Sequence, residues 1–155
     1  MSESEKSFKI NISIEWLKDL VFKLNFQNSS LPELYIDETH DMKSPEAIGP
    51  DPARLLLSAV MGCLNASFAF CLKKAHIPLK KMNALGELTL KYNADGFLRI
   101  SRMDIELIPE IEIKKGIPRM EKCMKIFHNY CTITESVRKG IPVDVKINKD
   151  KIKTN

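Results

Sequence analysis

Apolar residues at Phe8, Ile10, Ile12, Ile14 and Trp16 alternate with Ser7, Lys9, Asn11, Ser13 and Glu15. A period of two sends the two sets to opposite sides of a pleated chain, which predicts a strand with one buried face. After Lys18-Asp19 the alternation resumes through Leu20, Phe22, Leu24 and Phe26. The chain therefore opens with a hairpin, followed by a short third strand from Leu34 to Ile36. Residues 37–51 are polar, hold Pro45, Gly49 and Pro50, and read as a loop.

Asp51-Pro52 marks a helix start. The carboxylate can accept from free backbone N–H groups, and proline at the first helical position gives up no needed donor. The segment after it is apolar nearly all round, which predicts a helix buried on several sides. Lys73-Lys74 suit its negative end, His76 belongs to the helix ending, and Pro78 stops continuation. A second hairpin follows: Leu88, Leu90 and Tyr92, turn chemistry in Asn93-Ala-Asp-Gly96, then Leu98 and Ile100. The next apolar set, Met103, Ile105 and Leu107, has the other parity and predicts a bulge near Ser101-Arg102. Residues 115–130 read as a helix opening near Pro118, with Met120, Cys123, Met124 and Phe127 on one face. A further helical stretch, 133–139, ends at Lys139-Gly140, and Val143, Val145 and Ile147 predict a last strand. This order predicts an α+β fold around a largely antiparallel sheet.

A length of 155 residues suits one domain, 1–155, with about 8–148 structured. A hydrophobic share of 44% and a charged share of 28% are those of a soluble globular protein. The net charge of +4 owes much to four lysines between Lys146 and Asn155, so 149–155 reads as a basic tail. Nucleic-acid binding asks for a basic face with aromatic or arginine contacts, and none is legible. No apolar h-region follows Met1-Ser-Glu-Ser-Glu-Lys, and the apolar stretch Leu55 to Leu72 is interrupted by Ser58, Gly62, Asn65 and Ser67. The expectation is a cytoplasmic protein without a membrane partner. Four cysteines in that setting leave redox chemistry, metal binding or inert packing. Metal is disfavoured, because neither Cys-x-x-Cys nor His-x-x-x-His spacing occurs. Cys71 and Cys123 lie on apolar helical faces and read as packing.

Cys63 sits in Pro52-Ala-Arg-Leu-Leu-Leu-Ser-Ala-Val-Met-Gly-Cys63, and Cys131 in Tyr130-Cys-Thr-Ile-Thr-Glu-Ser136. On these two contexts, in this order, the chain resembles the OsmC/Ohr family. The resemblance implies antiparallel sheets wrapped around a buried central helix, in an intertwined homodimer with sites at the subunit interface. It also implies reduction of organic hydroperoxides without a cofactor, with Cys63 as the peroxidatic thiol and Cys131 as the resolving one, regenerated by a dithiol reductant. Arg54 is the candidate cation for that site, although nine residues at about 100° each set it opposite Cys63 on one helix. Val60, Met61 and Phe68 are candidate apolar walls for the substrate. Two features depart from the family's peroxidases. Where they carry Glu after the helix-starting proline, this chain has Ala53, and its N-terminal hairpin has no arginine. A non-catalytic module holding a small apolar ligand at the dimer interface, or a redox-sensing dimer, therefore stands beside the enzyme.

Overall fold

The structure, a computed structural model, describes residues 7–39, 45–112 and 117–148. The elements are β1 (Ser13–Lys18), β2 (Val21–Asn25), β3 (Leu34–Asp37), α1 (Pro52–Lys74), β4 (Leu79–Tyr92) and β5 (Leu98–Ile111). They are followed by α2 (Ile117–Ile126), a 3₁₀ turn (Phe127–Tyr130) and α3 (Thr132–Lys139). The fold is α+β with antiparallel sheets. Two compact units divide it: residues up to Ser58 with Leu88–Met103, and Ala59–Glu87 with residues from Asp104 onward.

The first unit is built on the sheet β1-β2-β3. Ile14 faces Leu24 and Trp16 faces Phe22, with an irregularity between Trp16 and Lys18. Asp19 takes positive φ (45°) in the tight turn, and the Trp16 indole donates to its carbonyl at 2.9 Å. Val21 and Leu24 are buried, and so is Asp37. Its carboxylate accepts from the Thr39 and Ile48 backbone N–H groups at 2.9 and 3.2 Å, which offsets the cost of burying a charge. Asp51 caps α1 as expected, accepting from the Arg54 N–H at 2.9 Å.

In the second unit α1 lays one stripe of Val60, Leu64, Ser67, Phe68, Cys71 and Leu72 into the interior. Phe68, Cys71, Leu72, Ile77 and Cys123 form its core, with Leu79 and Met82 of β4, Leu107 and Ile111 of β5, and Met120 and Ile126 of α2 packed around it. The helix ends as its sequence suggests. His76 takes positive φ (56°) and the Ile77 N–H bonds back to the Leu72 carbonyl at 3.0 Å, so the last carbonyls are satisfied before Pro78. In β5 the inward set from Met103 to Ile111 alternates cleanly, as its apolar pattern predicts.

Three expectations need correction. The strand predicted from Phe8 begins only at Ser13, and its apolar face is open: Phe8 is 89% exposed and Ile10 93%. The strand predicted at Val143, Val145 and Ile147 does not form, and these side chains are exposed too. The central helix is covered along one stripe rather than on several sides, leaving Phe70 exposed under Lys74. The cause is common to all three. Period-two and apolar patterns mark a surface suited to burial, and among the described residues these surfaces stay exposed.

Candidate functional site: a dithiol at a helix N-terminus

The site lies within the second unit. Cys131 directly precedes α3 and caps it, with φ −84° and ψ 96°. Its sulfur accepts from the Thr134 N–H at 3.4 Å and lies 2.9 Å from the Thr134 hydroxyl. Asn, Asp, Ser and Thr usually fill such a position, and sulfur here takes the place of oxygen. From α1, Cys63 stands close enough to Cys131 for the two thiols to act on each other's ionisation, and the Ile133 backbone N–H acts on the Cys63 sulfur. Ser67, one turn after Cys63 on α1 and buried, stands where its hydroxyl lowers the pKa of both thiols. Two thiols 68 residues apart in the sequence thus approach each other where free backbone N–H groups gather. The partial positive charge of a helix start favours an anion there.

The two sulfurs are not equivalent. Burial pushes the Cys131 thiol up, but hydrogen bonds from Cys63, from the Thr134 hydroxyl and N–H, and from Ser67 outweigh it, leaving Cys131 below the ordinary thiol range. Burial, reinforced by the thiol contact with Cys131, pushes Cys63 up, against the pull of the Ile133 N–H and the Ser67 hydroxyl. Of the two thiols, Cys131 therefore gives up its proton more readily than Cys63. Accessibility runs the other way: Cys131 is 0% exposed, whereas Cys63 is half-buried.

The other candidates lie as follows. Arg54 is held by the carboxylate of Asp51, whose pKa burial raises but the Arg54 hydrogen bonds and charge bring below the usual range. The groups that act on Cys63 are sulfur, hydroxyl and backbone. Phe68 lies in the core, edge-on to Phe127 with centroids 5.0 Å apart. Val60 is buried, and Met61 is half-buried with its carbonyl accepting from Asn65. Gly62, which could have marked a break or a close contact beside Cys63, does neither: α1 runs through it, and a Cβ there would meet nothing within 4 Å. Ser67 and Thr134 escaped the sequence reading. Their signals were slight: a hydroxyl four residues after Cys63 and another three after Cys131, the spacings of helical neighbours and of an N-cap.

Fold and site together define a class, an α+β domain whose long helix presents a thiol to a second thiol capping a late helix. The chain belongs to the OsmC-like protein family, whose model matches residues 43–146. Solved structures agree on the fold. An OsmC-like protein from Mycoplasma pneumoniae is 15% identical, with a TM-score of 0.68 over 86% of this chain and 89% of its own. An OsmC-like protein of unknown function from Vibrio cholerae is 14% identical, with a TM-score of 0.65 over 84% and 94%. An organic hydroperoxide resistance protein from Elizabethkingia anophelis is 13% identical, with a TM-score of 0.62 over 86% and 91%. No curated protein sequence matches the chain.

Proposed function

We propose that the protein reduces organic hydroperoxides through a Cys63/Cys131 dithiol cycle, as a homodimer in a reducing, cytoplasmic setting. The observation that carries this reading is the approach of two sequence-remote sulfurs at the start of α3, one fully buried with its pKa lowered, the other half-buried with its pKa raised. Its support from outside the chain is the fold shared with organic hydroperoxide resistance proteins. Cys131 serves first as the base. It takes the Cys63 proton, and the Cys63 thiolate attacks the terminal peroxide oxygen, breaking the O–O bond. The alcohol leaves with a proton, which the Cys131 thiol can supply. Cys131, again a thiolate, attacks the sulfenic sulfur of Cys63; the S–S bond forms and the departing hydroxide takes a proton from solvent and leaves as water. A dithiol reductant returns the pair. In this cycle the proton passed between the thiols, together with the α3 N-terminus, does what a neighbouring arginine would otherwise do.

The exposed apolar arms around Phe8–Ile12 and Val143–Ile147, and the uncovered sides of α1, support a second copy as their cover. By length and composition α1 could cross a membrane, yet its buried stripe packs on β4, β5 and α2 as a core helix does. The complete burial of Cys131 favours one other reading, a redox sensor that closes its disulfide without fast turnover.

One experiment separates the readings. Consumption of cumene hydroperoxide is followed with excess dithiothreitol for the wild type, Cys63→Ser and Cys131→Ser. Sustained turnover that Cys63→Ser abolishes, with a Cys63–Cys131 link in the wild type stripped of reductant, is the expected result. A link without turnover leaves the sensor. Absence of the link after peroxide treatment removes both.

A further inference from the structure

Cys71 lies eight residues after Cys63, and Cys123 eight residues before Cys131. The structure joins them as it joins the first pair. Phe68 of α1 meets Phe127 with ring centroids 5.0 Å apart. Further along, Cys71 and Cys123 touch within the same buried cluster. Beyond them the Arg119 guanidinium donates to the Ala75 carbonyl at 3.3 Å. Each step forward on α1 is answered by a nearly equal step backward along α2 and the turn after it. The two segments thus form an antiparallel seam with a cysteine pair at two levels and an aromatic pair between them.

We propose that Cys71 and Cys123 are a second redox dithiol of this protein, closed to a disulfide by an organic hydroperoxide more slowly than the first pair. The register carries the argument. Two free thiols held side by side by packing on both flanks need little chain movement to bond. They stand 8% and 3% exposed in apolar surroundings that admit an alkyl hydroperoxide better than an ion. Burial, then contact with the Cys71 thiol, pushes Cys123 up to about 11 against the pull of Lys122, so it is almost wholly protonated near neutrality. Cys71, the less buried, is therefore oxidised first. Its thiolate attacks the peroxide and becomes a sulfenic acid while the alcohol leaves. The Cys123 thiol then attacks that sulfur, loses its proton, and water departs as the S–S bond forms. The dithiol gives two electrons and the O–O bond takes them. This inference does not rest on turnover at Cys63 and Cys131.

The test uses the full reduced chain exposed to cumene hydroperoxide, quenched at intervals with iodoacetamide and mapped by non-reducing peptide mass spectrometry. A Cys71–Cys123 link should appear after the Cys63–Cys131 link in the wild type. It should also form in the double variant Cys63→Ser with Cys131→Ser, and faster at pH 9 than at pH 7, because the thiolate is the attacking species. Should the double variant fail to fold, the wild-type time course decides alone. Cys71 and Cys123 still alkylated after prolonged exposure, or oxidised without joining each other, would overturn the proposal.

Discussion

At Thr134 one hydroxyl and one backbone N–H both address the Cys131 sulfur, so this residue contributes to the pair's ionisation through its side chain and its backbone. Replacing it with valine keeps the shape and removes the hydroxyl. A hydrogen bond to a charged group contributes about 1.5–3 kcal/mol, and 1.36 kcal/mol equals one pKa unit. Thr134→Val should therefore raise the pH at which the thiol pair ionises by roughly one to two units. The sign follows from the charge: removing a donor to the thiolate favours the protonated form. The pH profile of iodoacetamide alkylation, or of thiolate absorbance, checks this, and Thr134→Ser should stay near wild type. An unchanged profile would mean that the hydroxyl does not address the sulfur in solution. Residue by residue, the sequence was unevenly legible. Asp51 announced its capping role because the cap is local, whereas the hydroxyls of Ser67 and Thr134 acquire meaning only once two segments meet.

The seam between α1 and α2 explains why Cys71 and Cys123 read as mere packing. Each sits on an apolar face, and nothing in either segment states the antiparallel register that pairs them. Phe68 was legible as apolar, but not as core rather than substrate wall. The two roles differ in what a substitution does. Phe68→Ala should cost about 3–5 kcal/mol, the usual loss for a buried Phe, seen as a lower denaturant midpoint. Phe68→Leu should cost far less and leave the KM for cumene hydroperoxide unchanged. A raised KM with intact stability would return the residue to the pocket wall. The helix itself was the most legible element, since its start at Asp51-Pro52 and its stop before Pro78 are written in local chemistry. Strand lengths were less so, because a period of two names the face and not the neighbour.

For the molecule as a whole, the uncovered sides of α1 and the open arm from Phe8 to Ile12 predict its assembly. Sedimentation equilibrium should give twice the mass of one chain. Removing residues 1–12 should weaken that association at least tenfold or leave the protein insoluble, since each fully buried large apolar side chain contributes about 1.5–3 kcal/mol. A monomer of unchanged solubility, with or without the arm, would refute the paired assembly. The same arm has a consequence for the nascent chain. A lone copy displays a ribbon of greasy, hydrogen-bond-hungry backbone that will template onto whatever extended segment drifts past. On the predicted pairing, newly made copies would race between pairing and coagulation, and synthesis of neighbours on one polysome would tilt that race toward pairing.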